Sequence, residues 1–189
     1  KHGLTNMLAE AIVKGVESEG AEALLRTVPD VSNNIDGKAP AVPTTGAPYV
    51  TLEELASCDG LALGSPTHFG NMSGAMKFCW DSTYGLWLKG SLINKPACTF
   101  TSSTSLHGGQ ETTLISMMMP LIHHGMVYIG VPYSVAELHK TTSGGTPYGA
   151  SAVAIPNKQK LSHEEQEIAI SQGKRLAVMA KKLKNNSGN

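Results

Sequence analysis

Residues 59–74, DGLALGSPTHFGNMSG, decide the fold. Asp59 to Gly64 is a short apolar run without polar alternation, the pattern of a strand covered on both faces. It leads into Ser65-Pro-Thr-His-Phe-Gly-Asn-Met-Ser-Gly74, a polar, glycine-studded turn, after which the spacing predicts a helix over 73–84. The same unit returns downstream. ACTFTSS (97–103) reads as the next strand, Leu106 to Gln110 as a glycine loop and 111–124 as a helix, followed by MVYIGV (126–131) as a strand. Strand–loop–helix units in succession imply right-handed crossovers and a doubly wound α/β fold, a parallel sheet with helices on both faces. In such sheets ligands bind at the carboxyl ends of the strands. The turns that begin at Ser65 and Ser102 both fall on that edge.

Outward from this centre, Leu8, Ile12 and Val16 repeat at four-residue spacing and predict an amphipathic helix over 4–19, stopped at Gly20. EALLRTV (22–28) reads as a short strand. Asp30 to Val50 is an Asn/Gly/Pro/Thr-rich excursion to which no element is assigned. Thr51-Leu-Glu-Glu54 and Ser162-His-Glu-Glu165 are capping boxes, the first opening a helix over 52–57 and the second a last helix to about Lys184. Residues 133–160 read as loop-rich, and the chain from Asn185 as frayed. The whole, 1–189, is expected to be one domain. Lys1 to Thr5 looks like the second half of a strand-to-helix turn. The natural protein is therefore expected to be longer by roughly one strand and a turn, on the mean strand length.

Composition narrows the function. Fifteen basic residues balance fifteen acidic ones, which argues against a nucleic-acid surface with its concentrated basic face. Three cysteines, Cys58, Cys79 and Cys98, lie too far apart for metal-ligand spacing and form no disulfide framework. No apolar run reaches the ~20 residues of a membrane helix, and no signal-peptide core is present. The expectation is a soluble protein of the cytoplasm without a metal site. Glycine, at 20 residues, exceeds its average share, and it concentrates in the loops.

The turn at 65–74 offers hydroxyls, an imidazole, an aromatic ring and backbone amides freed by glycine. Such a set can hydrogen-bond and cover a flat heteroaromatic; its bland equivalent is an ordinary turn with an N-cap. Ser102-Ser-Thr-Ser-Leu-His-Gly-Gly-Gln110 is richer in donors than a structural turn requires, against the alternative of a solvated loop. The helix start at Gly3–Thr5 is an anion site by its free N–H groups and dipole. His123 and His124 point about 100° apart on a helix and make no two-histidine metal site. One suits a helix cap and the other a ligand cavity, although a structural role is the commoner fate of either. Tyr84 and Trp87 are core residues by default. Neither G-x-S-x-G, G-x-G-x-x-G nor a P-loop occurs. The residues alone define a flavodoxin-like or other doubly wound binder of an aromatic, anionic ligand.

SPTHFGNMSGAMKFCWDSTYGLW (65–87), GGQET (108–112) leading to HHGM (123–126), and GGTPYGA (144–150) together resemble the WrbA-type NAD(P)H:quinone oxidoreductases, flavodoxin-like FMN proteins. The resemblance spans nearly the whole chain. It implies an FMN-phosphate loop ending at Gly3, Leu4 and Thr5. Pro66, Thr67, His68 and Phe69 match one flavin loop, and Ser102, Ser103, Thr104, Ser105, Leu106, His107, Gly108 and Gly109 match a second, with Thr67, Phe69 and Ser103 orienting the ring. The family often has arginine where this chain has His68, which implies weaker or pH-sensitive contacts. The second loop is one residue longer than usual, with His107 where glycine is common. His124 matches a histidine near flavin and substrate, the candidate partner of a substrate carbonyl; Trp87 matches an aromatic wall that stacks on nicotinamide or quinone. The implied reaction is ping-pong: NADH or NADPH reduces FMN, and a quinone is then reduced by two electrons to the quinol. The implied assembly is a homotetramer. An electron-transfer flavodoxin and an interaction protein without turnover are the competing classes, and the absence of strong acidity disfavours the first.

Overall fold

The computed structural model describes residues 3–31, 42–154 and 160–186. Its elements in order are α1 (Leu4–Ser18), α2 (Leu52–Ser57), β1 (Leu61–Pro66), α3 (Gly74–Asp81), α4 (Tyr84–Leu88), β2 (Pro96–Ser103), α5 (Gln110–His123), β3 (Val127–Tyr128), α6 (Glu137–Lys140), β4 (Ala150–Val153) and α7 (His163–Asn186). β1 pairs in parallel with β2 from Leu61↔Ala97 to Pro66↔Ser102. The other edge of β2 is shared. β3 pairs with its start, at Pro96 and Ala97, and β4 with its end, from Phe100 to Ser103. Among the described residues no strand pairs with the edge of β1 opposite β2.

Helices cover both faces, as the strand–loop–helix order requires. On one face the stripe Leu4, Leu8, Ala11 and Ile12 of α1 joins Ile168 and Ala169 of α7 over Phe100, Ala150 and Ala152. The two helices touch through their backbones. A Cβ at Gly15 would lie 2.1 Å from the Ile170 carbonyl oxygen, and one at Gly173 2.2 Å from that of Ile12. On the other face Leu63 and Ala97 meet Trp80, Leu92, Leu114, Met117 and Leu121. Both capping boxes form: Thr51 and Glu54 exchange side-chain-to-backbone bonds, and so do Ser162 and Glu165.

Three readings are corrected. EALLRTV makes only an isolated parallel bridge, Thr27↔Tyr49, because no described strand lies beside it to extend a ladder. The helix expected to reach residue 84 stops at Asp81, where the Thr83 hydroxyl donates to the Trp80 carbonyl at 2.7 Å; a separate short helix follows. The strand expected over 126–131 is cut to Val127–Tyr128. Its ladder is resumed after an excursion by Ala150–Val153, four fully buried residues inside a stretch read as loop. The close approach of Gly130 to the Pro147 carbonyl oxygen, 2.3 Å from a hypothetical Cβ, brings the two halves of this edge back together. Of the Asp30–Val50 excursion, residues 32–41 lie outside the described residues, as do Lys1, His2 and the last three residues.

Candidate functional site

Three segments converge at the carboxyl edge of the sheet. Beyond β1, the Thr67 N–H donates to the Ser102 carbonyl at 2.8 Å, tying the first loop to the end of β2. His68 and Asn71 then close a tight turn through reciprocal backbone bonds of 2.8 and 3.1 Å. The central residues of that turn, Phe69 (φ +53°) and Gly70 (φ +76°), are both left-handed. Gly70 tolerates this; a bulky aromatic there is an outlier. The Phe69 ring is fully exposed, so no packing within the described structure holds it in that conformation.

The second loop is braced from within. Ser103 Oγ donates to the Ser105 carbonyl at 2.8 Å, and the buried Gln110 amide donates to the carbonyls of Ser105 and Leu106, each at 2.9 Å. Thr104, Ser105, Leu106 and His107 are thereby left exposed on the rim, as are Pro66 and His68. Gly108 sits where a Cβ would fall 2.9–3.0 Å from Ser105 and Ser103. Gly109 (φ +86°) starts α5 without a side-chain cap, and a Cβ there would lie 3.0 Å from Gly70 Cα. The two loops thus meet backbone to backbone at glycines.

The third segment is the start of α1. Gly3 is extended and provides no side-chain cap, and no acidic residue occupies the first turn, so the first-turn amides, which a helix leaves without intrahelical partners, keep a positive end. Thr5 Oγ1 lies 2.5 Å from Ser102 Oγ, which joins this helix start to the second loop. Gly3–Thr5, Pro66–Phe69 and Ser102–Gly109 are therefore brought together at one place, the candidate site. An uncapped helix start, hydroxyls and a glycine cradle beside an exposed aromatic fit a flat ring system carrying a phosphate.

Trp87 and His124 lie elsewhere. α5 runs from Gly109 at the loop edge to His124 at its far end, roughly 20 Å away by the 1.5 Å rise per residue. Trp87 is also at the far end: its Nε1 donates to the His123 carbonyl at 3.0 Å, and its half-exposed ring stacks on Tyr84 at 5.8 Å. His124 is buried against Trp80, with ring centroids 5.1 Å apart. Its Nε2 is 2.9 Å from Thr83 Oγ1. Since the Thr83 proton is directed to the Trp80 carbonyl, His124 Nε2 carries the proton in that contact, and the buried Nδ1 has no partner among the described residues. Burial first, and the adjacent His123 second, hold the His124 pKa below the ordinary histidine value. Its N–H being spent on Thr83, His124 cannot donate from Nε2 to a substrate carbonyl in this arrangement.

Sequence reading missed Thr101 and Thr113, and it placed Gln110 in the donor-rich loop without its bracing role. Thr101 and Thr113 are fully buried and their hydroxyls line the underside of the first loop. The alternation Thr99, Thr101, Ser103 in an otherwise apolar strand was the available signal. Among the described residues no three His, Cys, Asp or Glu side chains cluster as a metal site would need. No described helix is long and apolar enough to cross a membrane.

This edge, with loops from successive strands closing on one helix start, defines a protein of flavodoxin-like fold. Solved structures agree on the fold. A WrbA-like flavodoxin from Agrobacterium tumefaciens superposes with a TM-score of 0.64 at 22% identity, covering 96% of this chain and 92% of the other. A flavodoxin from the Archaea gives 0.63 at 19%, covering 96% and 93%. In sequence, the chain is 44% identical to an NAD(P)H dehydrogenase (quinone) of Geotalea daltonii over 96% of its own length and 93% of the relative's. For the protein of that name from Geobacter sulfurreducens the figures are 42%, 96% and 94%. The profile of the NADPH-dependent FMN reductases matches residues 1–140. The chain belongs to this family of FMN reductases.

Proposed function

We infer that the protein is an FMN-dependent NAD(P)H:quinone oxidoreductase. The observation that carries this reading is the convergence of three segments on one sheet edge, in a chain 42–44% identical along its length to quinone-reducing NAD(P)H dehydrogenases. FMN, when bound, supplies two-electron chemistry: NAD(P)H loses a hydride, and a quinone gains two electrons and two protons to become the quinol. The free amides of Gly3–Thr5 receive the phosphate, with the Thr5 and Ser102 hydroxyls beside it. Thr67 and Ser103 orient the ring, and Phe69 covers it. The paired glycines at 70 and 109 let the two loops close without a side chain between them. One cavity serves nicotinamide and quinone in turn, so the cycle is ping-pong.

Trp87 acts from a second copy of the chain in a homotetramer, with the buried His124 a structural residue of the same end. The length of α5 keeps them from the flavin loops of their own subunit. Their end of the molecule carries exposed apolar side chains on α4, α5 and the turn before β2: Leu88, Ile93, Met119 and Ile122 among them, with Tyr84 and Trp87. A patch of that kind on a folded domain suits self-association. Trp87 then supplies a flat wall for nicotinamide or quinone. The cytoplasm, as the compartment of nicotinamide nucleotides and free thiols, is the proposed location. Mass analysis of the flavin released from purified protein tests the reading: FMN is expected, and FAD would overturn it.

A further inference from the structure

Beneath the first loop lies a chain of hydroxyls. Thr113 Oγ1 on α5 is 2.7 Å from the Gly109 carbonyl oxygen and 3.1 Å from Thr67 Oγ1. Thr67 Oγ1 is 3.2 Å from Thr101 Oγ1, and Thr101 Oγ1 is 2.7 Å from the Ser65 carbonyl oxygen. Each hydroxyl has one proton to give. The Thr101 proton goes to the Ser65 carbonyl, so across the contact with Thr67 it is Thr67 that donates. The Thr113 proton likewise goes to the Gly109 carbonyl, so Thr67, with one proton, stands between two hydroxyl oxygens that can only accept from it. The Thr67 proton is therefore held on the buried side of the loop, between Thr113 and Thr101. Thr113 and Thr101 are both fully buried, and neither lies in a loop that a ligand could touch.

We propose that Thr113 and Thr101 are positioning residues for the flavin site, acting through Thr67. The proposal rests on the reading of the Thr67 loop as a flavin loop. α5 and β2 between them clamp the Thr67 side chain from two sides, while its backbone N–H is held by the Ser102 carbonyl. The chain also fixes what Thr67 can offer. Its proton is turned to the buried pair Thr113 and Thr101, so toward a ligand its hydroxyl is an acceptor only, matched to a ring N–H and not to a ring carbonyl. Removing either hydroxyl takes away one of the two acceptors that hold the Thr67 proton on the buried side, and the side chain is clamped less firmly.

Fluorescence-quenching titration of FMN into apoprotein tests this. Thr113→Val keeps shape and removes the hydroxyl; FMN binding is expected to weaken about tenfold, the worth of one such hydrogen bond. Thr113→Ser is expected to restore binding to within about twofold. Thr112→Val is the control, since the exposed Thr112 hydroxyl also reaches the Gly109 carbonyl, at 3.0 Å, but stands outside the chain; it should bind FMN as the wild type does. If Thr113→Val does not fold, Thr101→Val, with Thr101→Ser as its rescue, carries the same expectation. Binding by Thr113→Val equal to wild type, or a serine variant as weak as the valine one, overturns the proposal alone. A folded wild-type protein that binds no FMN overturns the functional reading with it.

Discussion

Substituting Phe69 with Asn should make the apoprotein more stable and the flavin site worse. The Phe69 backbone sits at φ +53°, and its ring is entirely exposed, so the side chain contributes no packing to offset its conformation. A left-handed residue with a bulky side chain costs roughly 1–2 kcal/mol, whereas Asn visits that region routinely. Relief of about 1 kcal/mol raises the melting temperature of a domain this size by about 2–4 °C. The ligand side moves the other way. An aromatic stacked on a ring system contributes about 0.5–1.5 kcal/mol beyond its buried area, so FMN affinity should fall roughly three- to tenfold. Thermal melts of apoprotein and fluorescence titration with FMN read the two effects separately. A lower apoprotein melting temperature, or unchanged FMN affinity, would refute the idea that strain at Phe69 is maintained for the ligand.

Trp87→Ala should raise KM for both nicotinamide and quinone several-fold while FMN stays bound. The ring is half-exposed, so the melting temperature should move little; a collapsed melt with unchanged KM would assign Trp87 a structural role. His124, whose pKa is held down by burial, takes up a proton more readily in the unfolded chain. Its contribution is therefore full above about pH 6.5, the unfolded value, and is lost as pH falls through the folded one. His124→Gln should flatten the decline in melting temperature between pH 7.5 and 5; an unchanged slope contradicts this. Gln172→Leu removes the donor to the Thr99 carbonyl (3.0 Å) and the acceptor of the Ala150 N–H (2.8 Å), both buried. It should destabilise the protein by about 2–4 kcal/mol, measured by denaturant unfolding; a loss under 1 kcal/mol would show that neither group depends on Gln172.

The parts of the fold that were legible in the sequence are those with local causes. Capping boxes at Thr51 and Ser162, the apolar period of α1 and the apolar run before Ser65 each fix an element through neighbours in sequence. Elements that depend on distant partners were less visible. Ala150–Val153 is a strand because β2 has room beyond Ala97, and Gln172 from α7 completes its first bond; the preceding Gly-Gly-Thr-Pro-Tyr-Gly reads only as loop. EALLRTV has strand composition but lacks a described neighbour, and so makes one bridge. That the loops of the candidate site share one sheet edge was legible because glycine and hydroxyl residues cluster where strands end. The placement of Trp87 and His124 was not, because motif order along the chain says nothing about which end of α5 each residue occupies. Thr113 was hidden for a similar reason: its hydroxyl acts across helix and strand.

Anaerobic absorbance spectroscopy of the FMN-loaded protein tests the central claim most directly. Addition of NADH or NADPH should bleach the flavin bands, and subsequent addition of a benzoquinone should restore them with one quinone consumed per flavin. Flavin bands that remain unbleached by both nucleotides, or that bleach and are not restored by quinone, would contradict the assignment of the activity.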